Sequence, residues 1–220
     1  MKEASFFLNP ISRLAGFHPF WIPRLAQAAV RGDRDFALQN LAPHHDAIIA
    51  QEYPPHTRHH ADQVHGNRIA IISRAIAAPY HLHHDVDGLI TNLPKQLLGI
   101  YVADCAAIYL ADPKTKSIAL LHSGKKGTEG NILAVAANSM QESYGTKASD
   151  LICVVSPCIR PPDYEIDFAA IIAQQAAELG ITNFHDSLQN TAKDLSSHYS
   201  YRIEKGQTGR MLALFSIELD

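Results

Sequence analysis

The sequence has few of the features that mark secreted, membrane-spanning or nucleic-acid-binding proteins. It contains three cysteines, an odd and widely spaced set that fits a reducing compartment better than a disulfide framework. No apolar run approaches the roughly 20 residues that would span a bilayer, and the first residues lack the pattern of a signal peptide. A net charge of −3 gives no electrostatic reason to expect nucleic acid or an anionic membrane as a partner. The sequence therefore predicts a cytoplasmic protein without those partners.

What is present is typical of one globular domain. The chain has 220 residues, of which 46% are hydrophobic and 19% charged, so it is long enough for one sizeable core. Predicted strands and helices are interleaved without an internal repeat or a long linker. We therefore expect a single domain over residues 1–220.

Short apolar runs rich in isoleucine, leucine and valine predict the strands. These runs lie at residues 67–75, 97–105, 106–112, 117–124, 150–157 and 209–219. Several are hydrophobic at nearly every position, which is typical of a sheet covered on both faces. A further short strand is expected within residues 35–43.

Two stretches repeat apolar residues at helical spacing. The first helix is expected to begin with Thr128 as its N-cap and to end at Gly145, and the second to run from an Asp167 cap to Gly180. Two further short helices are expected, at residues 23–30 and 186–195.

Thirteen histidines are many for this length, and nine of them fall between His44 and His84. A biased tract of this kind is a compositional signal. Its simplest interpretation is a polar, solvated loop region that binds metal loosely.

The residues that carry chemistry concentrate in residues 97–133. Cys105 follows Asp104 where an apolar run breaks, so its thiol is expected at a strand end that faces a cleft. His122 ends a buried strand, and His65 precedes another. A thiol and two imidazoles at strand ends suit a catalytic or metal site, although the long gaps between them are no signal by themselves.

The HSGKKGTEGN segment has the composition of an anion site. Its glycines, Gly127 among them, allow a ligand to approach the backbone, and a helix that begins near Thr128 presents free N–H groups. Two lysines, including Lys126, add positive charge, so the segment suits phosphate. The alternative is a simple strand-to-helix turn with solvated lysines.

Two aspartates in the DVDGLIT segment are separated by one residue. In an extended segment Asp85 and Asp87 would point to the same side, where their carboxylates would hold imidazoles by hydrogen bonds. The alternative is an Asx-type turn that precedes a strand.

Six motifs, in order, resemble those of a known family. They are QVHG, DVDGLIT, VADC, HSGKKGT, SPCI and TGRM, at residues 63–66, 85–91, 102–105, 122–128, 156–159 and 208–211. The match begins near Gly16 and continues to the C-terminus. On these motifs the chain is identified as a member of the bacterial laccase-domain proteins, also called multicopper polyphenol oxidoreductases and, more recently, purine nucleoside phosphorylases.

The resemblance implies a single α/β domain of the α+β type, with mixed β-sheets flanked by helices and a fold similar to that of cysteine hydrolases. It implies a zinc ion, or alternatively copper, held by His65, Cys105 and His122. The implied activity is phosphorolysis of adenosine, inosine, guanosine or methylthioadenosine, deamination of adenosine, or both. The partners would be a purine nucleoside and phosphate, and the protein would be a monomer or a small homo-oligomer.

Further site residues follow from the same resemblance. Asp85, Asp87 and Asp104 are candidates for orienting groups or proton carriers, Lys126 for a phosphate ligand and Arg210 for lining the pocket. The chain has HSGKKGT where the family has HAGWRGT, so Lys126 replaces an arginine and lacks its bidentate fork. Arg160 stands where the family has glycine.

Three other functions stay open. A copper-dependent polyphenol oxidase fits the older family name, but two histidines and one cysteine are too few ligands for several coppers. A metal-free hydrolase would use Cys105 as nucleophile and His122 as base. The third is a divergent family member that binds a nucleoside without converting it to a product. This function stays open because Lys126 replaces the arginine of the family.

Overall fold

Two β-sheets lie at the centre of the protein, which a computed structural model describes over residues 3–218. The strands are β1 Phe17–Ile22, β2 Thr57–Ala61, β3 Ile69–Ile72, β4 Tyr80–His83, β5 Gly88–Thr91, β6 Gln96–Val102, β7 Ala106–Asp112, β8 Ser117–Ser123, β9 Ile152–Val155, β10 Asn183–Asp186 and β11 Met211–Ile217. The helices are α1 Asn9–Ser12, α2 Arg34–Glu52, α3 Lys125–Glu129, α4 Ile132–Tyr144 and α5 Phe168–Leu179, with 3-10 segments at Glu3–Leu8 and Ala148–Asp150. None of these helices is long and apolar enough to cross a membrane.

Both sheets mix parallel and antiparallel pairs. The five-stranded sheet has the order β1-β11-β6-β2-β4, and the six-stranded sheet has the order β10-β9-β7-β8-β5-β3. The pairs β2–β4, β2–β6, β3–β5 and β9–β10 are parallel, and the other pairs are antiparallel. The prediction of one α/β domain with mixed sheets flanked by helices is confirmed.

Strand β7 shows why several strands are apolar at every position. Ala107 and Tyr109 belong to the core that the two sheets share, whereas Ile108 and Leu110 belong to a second core beneath α4 and α5. Successive side chains of a strand point to opposite faces. A strand that is covered on both faces therefore needs apolar residues throughout, as the sequence predicted.

The two predicted long helices are present. Helix α5 begins with Asp167, whose side chain accepts a hydrogen bond from Ala170 N, and it ends at Gly180. Helix α4 ends at Gly145 as expected, but its N-cap is Asn131, so the assignment of the cap to Thr128 was wrong. Thr128 lies instead in the short helix α3, and the left-handed backbone of Asn131 (φ 49°) separates the two helices.

The segment 35–43 is helical, so the prediction of a strand there was wrong. It belongs to α2, whose N-cap is Asp33, with a side chain that accepts a hydrogen bond from Phe36 N. The buried residues of α2 follow each other every four positions, which is helical spacing. They are Ala37, Leu41, His45 and Ile49.

The two expected short helices are also absent, because contacts with distant parts of the chain hold each segment in another conformation. In residues 23–30, the backbone of Leu25 exchanges two hydrogen bonds of 3.2 Å with the hydroxyl of Tyr199. In residues 186–195, the chain leaves β10 as a loop in which Asn190 pairs with Cys158 in an isolated bridge.

The histidine-rich tract is not a solvated loop, so that interpretation was wrong. His45 lies on α2 and is 1% exposed, and His59 and His60 lie on β2 at 0% and 5% exposure. His81 and His83 follow on β4 and are half-buried. Much of the tract is therefore part of the second helix and the five-stranded sheet.

Candidate metal and substrate site

Three chain segments bring His65, Cys105 and His122 together. His122 lies near the end of β8, Cys105 directly precedes β7, and His65 lies in the loop between β2 and β3. The antiparallel pairing of β7 with β8 places residues 105–107 beside residues 122–124. One nitrogen of each imidazole and the sulfur of Cys105 lie within 4.8 Å of one another, so the three predicted ligands share one site.

The carboxylate of Asp87 lies behind this site and accepts hydrogen bonds from the segments that form it. One oxygen is 2.7 Å from His122 Nδ1 and accepts from His65 N at 2.9 Å, while the other accepts from Gly66 N at 2.7 Å and Val64 N at 3.3 Å. Burial would raise the pKa of Asp87, but the hydrogen bonds from His122, Gly66 and His65 lower it. Asp87 thus orients His122 and the His65 loop, leaving Nε2 of His122 for the site.

Cys105 and His122 shift the pKa of each other towards a thiolate and an imidazolium. Burial would raise the pKa of Cys105, but the nearby His122 and hydrogen bonds from both imidazoles lower it to about 6. Burial would lower the pKa of His122, but Cys105 and the hydrogen bond that His122 donates to Asp87 raise it to about 9. A thiolate with two imidazoles at this spacing fits Zn²⁺ or copper.

Two glycines make room for the site. A Cβ atom on Gly124 would lie 2.7 Å from Cys105 Sγ, and one on Gly127 would lie 2.8 Å from the carbonyl oxygen of Gly66. The first glycine leaves space for the thiolate, and the second lets α3 approach the loop that carries His65. The predicted close approach at Gly127 is therefore to the protein's own backbone.

The site opens into a cleft of about 430 Å³. The cleft is lined by Arg34, Gln63, His65, Tyr101, Ala103, Cys105, His122, Tyr201 and Arg210. The three candidate metal ligands, two guanidinium groups and two phenol rings therefore surround one volume, and its size suits a small organic ligand.

Arg34 and Arg210 give the cleft a positive charge. Burial, and after it the charge of Arg34, lower the pKa of Arg210. The arginine salt bridges found within residues 3–218 involve Arg24, Arg58, Arg68, Arg160 and Arg202, but neither cleft arginine. Two like charges without a carboxylate from that part of the chain favour an anionic ligand.

Besides Asp87, four predicted site residues do not line the cleft. The carboxylate of Asp104 is engaged elsewhere, since it accepts from Thr191 Oγ1 at 2.6 Å and Arg202 N at 2.7 Å. Lys126 is exposed on α3, and Thr128 is buried with its hydroxyl 2.7 Å from Ser123 Oγ. Gly127, the fourth, packs on Gly66. Helix α3, which carries these last three residues, has only five residues.

Asp85 and Asp87 also differ from expectation. Asp85 has a left-handed backbone (φ 58°), so the segment is not extended and the two carboxylates do not point to the same side. Asp85 is 3.6 Å from exposed Arg68, whereas Asp87 is fully buried. Only Asp87 supports an imidazole.

The sequence interpretation missed Arg34, Tyr101 and Tyr201 and gave Gln63 no role. The amide of Gln63 donates to Tyr101 O at 2.7 Å and accepts from Tyr101 N at 2.9 Å, which continues the pairing of β2 with β6. Nothing local in the sequence marks Arg34 or Tyr201 as a neighbour of Cys105. Gln63 alone had a signal, because it opens the QVHG motif.

Comparison with known proteins shows the family to which the chain belongs. A family model described as multi-copper polyphenol oxidoreductase laccase matches residues 32–170 and 163–218. These matches cover most of the chain, so the protein belongs to that family. The resemblance drawn from the six motifs is confirmed.

Two relatives agree with this assignment, and a solved structure has the same fold. The chain is 28% identical to purine nucleoside phosphorylase SSP1584 of Staphylococcus saprophyticus, over 81% of this chain and 80% of the relative. It is 26% identical to purine nucleoside phosphorylase YlmD of Bacillus subtilis, over 72% and 70%. The crystal structure of YlmD from Geobacillus stearothermophilus superposes with a TM-score of 0.77 at 21% identity, covering 94% and 93% of the two chains, and shows the same fold.

Proposed function

We propose that the protein is a zinc-dependent purine nucleoside phosphorylase. The observation that carries this proposal is a single cleft in which the His65–Cys105–His122 set lies together with two arginines that have no carboxylate partner in residues 3–218. The names of the two relatives described above support it. Adenosine, inosine, guanosine and methylthioadenosine are the proposed substrates.

In phosphorolysis, a phosphate oxygen bonds to C1′ of the ribose while the bond from C1′ to the purine nitrogen breaks. The electron pair of the broken bond leaves with the purine. Arg34 and Arg210 would bind the phosphate and reduce its repulsion from the other groups of the site. A zinc ion held by His65, Cys105 and His122 would act as a Lewis acid.

Tyr201 is the aromatic surface best placed for the purine. Both faces of Tyr101 are covered, because His45 and His60 stack on it at centroid distances of 5.7 and 5.4 Å. Tyr201 is 55% exposed and lines the same cleft. The guanidinium of Arg210 lies over one face of its ring, 5.8 Å from the centroid, so a purine would stack on the other face. We therefore assign base stacking to Tyr201 and only edge contacts to Tyr101.

Product analysis after incubation with adenosine, with and without phosphate, tests the reaction type. Adenine formed only with phosphate, and lost in Cys105→Ala, is the expected result. Inosine formed without phosphate would assign deamination instead. No product with any of the four nucleosides from the metal-loaded protein would overturn the proposal and favour a binding protein.

A steady-state experiment tests the phosphate ligands. Arg34→Gln and Arg210→Gln are expected to raise the KM for phosphate roughly 10- to 100-fold, because a hydrogen bond to a charged group contributes about 1.5–3 kcal/mol. Lys126→Gln tests the alternative drawn from the sequence. A raised KM in Lys126→Gln with unchanged values in both arginine variants would assign phosphate to the lysine.

A second candidate is a metal-free hydrolase, favoured by the Cys105–His122–Asp87 arrangement, which has the order nucleophile, base and orienting group. Its activity would survive chelators and be lost on alkylation of Cys105. The proposed phosphorylase predicts the opposite response to chelators, with activity restored by zinc. A copper oxidase has less support, because within residues 3–218 one three-donor cluster is found and several coppers need more ligands.

A further inference from the structure

Three histidines outside the cleft meet on one face of the five-stranded sheet. His81 and His83 are two positions apart on the edge strand β4, so their side chains point to the same face. On the neighbouring strand β2, His59 is the direct register partner of His81. The topology therefore places a His-x-His pair beside a third histidine. None of the three lines the cleft described above.

Two of the three imidazole pairs in this cluster have spacings close to that of the candidate metal site. Ring centroids are 5.2 Å apart for His59 and His83, and 4.5 Å apart for His81 and His83. The third pair, His59 and His81, is 6.1 Å apart. For comparison, the rings of His65 and His122 are 4.9 Å apart.

Hydrogen bonds indicate which ring nitrogens of the cluster carry a proton. Gln96 Nε2 donates to Pro94 O, so Gln96 Oε1 accepts from His59 Nε2 at 2.9 Å. His59 Nδ1 then carries a lone pair, and it accepts from His83 Nε2 at 3.0 Å. His59 is fully buried and already oriented through its other nitrogen, as the outer partner of a metal ligand would orient it.

The spacing of the two facing nitrogens matches a metal site. Two nitrogen ligands of a tetrahedral zinc ion lie about 3.3 Å apart, given Zn–N bonds of about 2.0–2.1 Å. The observed 3.0 Å between His59 Nδ1 and His83 Nε2 needs only a small separation and loss of the bridging proton. The three donor nitrogens are not all within 4.8 Å of one another in the metal-free arrangement, so the half-buried His81 ring must also turn.

We propose that His59, His81 and His83 form a second metal site that binds Zn²⁺ through three imidazole nitrogens. Neutral imidazoles without a thiolate suit zinc, nickel or copper ions. Because His59 is buried on β2 while His81 and His83 lie on the edge strand, the bound ion would fix β4 to the sheet. This site is independent of the proposed nucleoside chemistry.

Equilibrium dialysis against Zn²⁺, followed by metal analysis, tests the site in the full chain. A His65→Ala/Cys105→Ala background removes the cleft ligands, and it is expected to retain about one zinc per chain at the second site. Adding His81→Ala or His83→Ala should weaken that binding by more than the roughly 10- to 100-fold typical of losing an outer partner. His84→Ala is the matched control, since His84 is the adjacent exposed histidine and its ring points to Asp62 at 3.4 Å.

The proposal would be overturned by a background protein that binds no zinc, or by zinc binding that His81→Ala and His83→Ala leave unchanged. Circular dichroism of the metal-free variants checks that they fold.

A measurement on the background protein alone avoids dependence on folding of the variants. Binding of zinc should slow amide hydrogen exchange in residues 80–83. When Cu²⁺ is bound in place of zinc, its electron paramagnetic resonance spectrum should show couplings to imidazole nitrogens. An exchange rate that zinc does not change would also contradict the site.

Discussion

Asp87 connects the loop of His65 to the imidazole of His122. Both oxygens of its carboxylate act only as hydrogen-bond acceptors, which suits a charged carboxylate. In Asp87→Asn, one of the two oxygens becomes an NH₂ group that faces donors. We expect metal affinity to fall roughly 10- to 100-fold, the usual effect of losing a partner that orients a ligand. Metal-competition titration measures this.

The matched control is Asp85→Asn, two residues earlier. Asp85 is exposed and pairs only loosely with Arg68, so its change should leave metal affinity unaltered and alter stability by no more than about 0.5 kcal/mol. Equal losses in both variants would show that the DVDG turn as a whole, and not the Asp87 contacts, supports the site.

Gly124 allows a test that removes no ligand. In Gly124→Ala, the added methyl group would lie 2.7 Å from Cys105 Sγ, so the thiolate must move away from the two imidazoles. We expect zinc affinity to fall at least about tenfold, since ligand geometry is disturbed directly. Gly145→Ala is the control, because it strains a left-handed helix end in open space, far from any ligand contact. Unchanged zinc affinity in Gly124→Ala would contradict the described packing.

At the scale of elements, β2, β4, β6 and α2 are joined by a column of stacked rings. His45, Tyr101, His60 and Tyr80 follow one another at centroid distances of 5.7, 5.4 and 5.5 Å, with planes within 28° of parallel. Gly99 on β6 lies opposite His60 on β2 in the sheet. Because Gly99 has no side chain, the His60 ring can pack against the backbone of β6.

Gly99→Ala should therefore destabilise the fold. Its Cβ would lie 2.5 Å from His60 Cε1, and the ring is held between Tyr80 and Tyr101, so the expected loss is about 1–3 kcal/mol in urea unfolding. In a His60→Ser background the same change should cost much less, which a double-mutant cycle would show as coupling. An equal loss in both backgrounds would exclude the proposed clash.

Among the elements, those with strong local signals were predicted correctly. The strands around Cys105 and the helix ending at Gly180 have apolar patterns and caps that depend only on neighbouring residues. The first half of helix α2 was misread as a strand, because the buried stripe of the helix mixes apolar residues with His45 and the helix contains Pro43. Residues 186–195 were misread because contacts with distant segments, such as the bridge to Cys158, decide their conformation.

For the whole molecule, the buried His45 predicts how stability depends on pH. Burial lowers the pKa of His45 to about 4, Asp46 raises it slightly and His44 lowers it. The unfolded chain, with a histidine pKa of about 6.5, therefore binds the proton first as the pH falls. The contribution of this group is fully present above about pH 6.5 and is lost as the pH falls towards 4.

At about pH 5 the loss from His45 should be roughly 2 kcal/mol of unfolding free energy relative to about pH 7. His45→Phe keeps a ring against Tyr101 but cannot titrate, so its stability should fall less over the same interval. Urea unfolding of both proteins at the two pH values measures the difference. A variant that loses as much stability as the natural chain would refute the assignment.

The sequence by itself determined the class of fold, the buried strands and the family, because hydrophobic runs, caps and short motifs are local properties. It also identified the His65, Cys105 and His122 set through that family resemblance. Only the tertiary structure decided between Asp85 and Asp87, added Arg34 to the cleft and turned a histidine tract into part of a sheet. These outcomes depend on which distant segments meet when the strands pair, and no local pattern records that pairing.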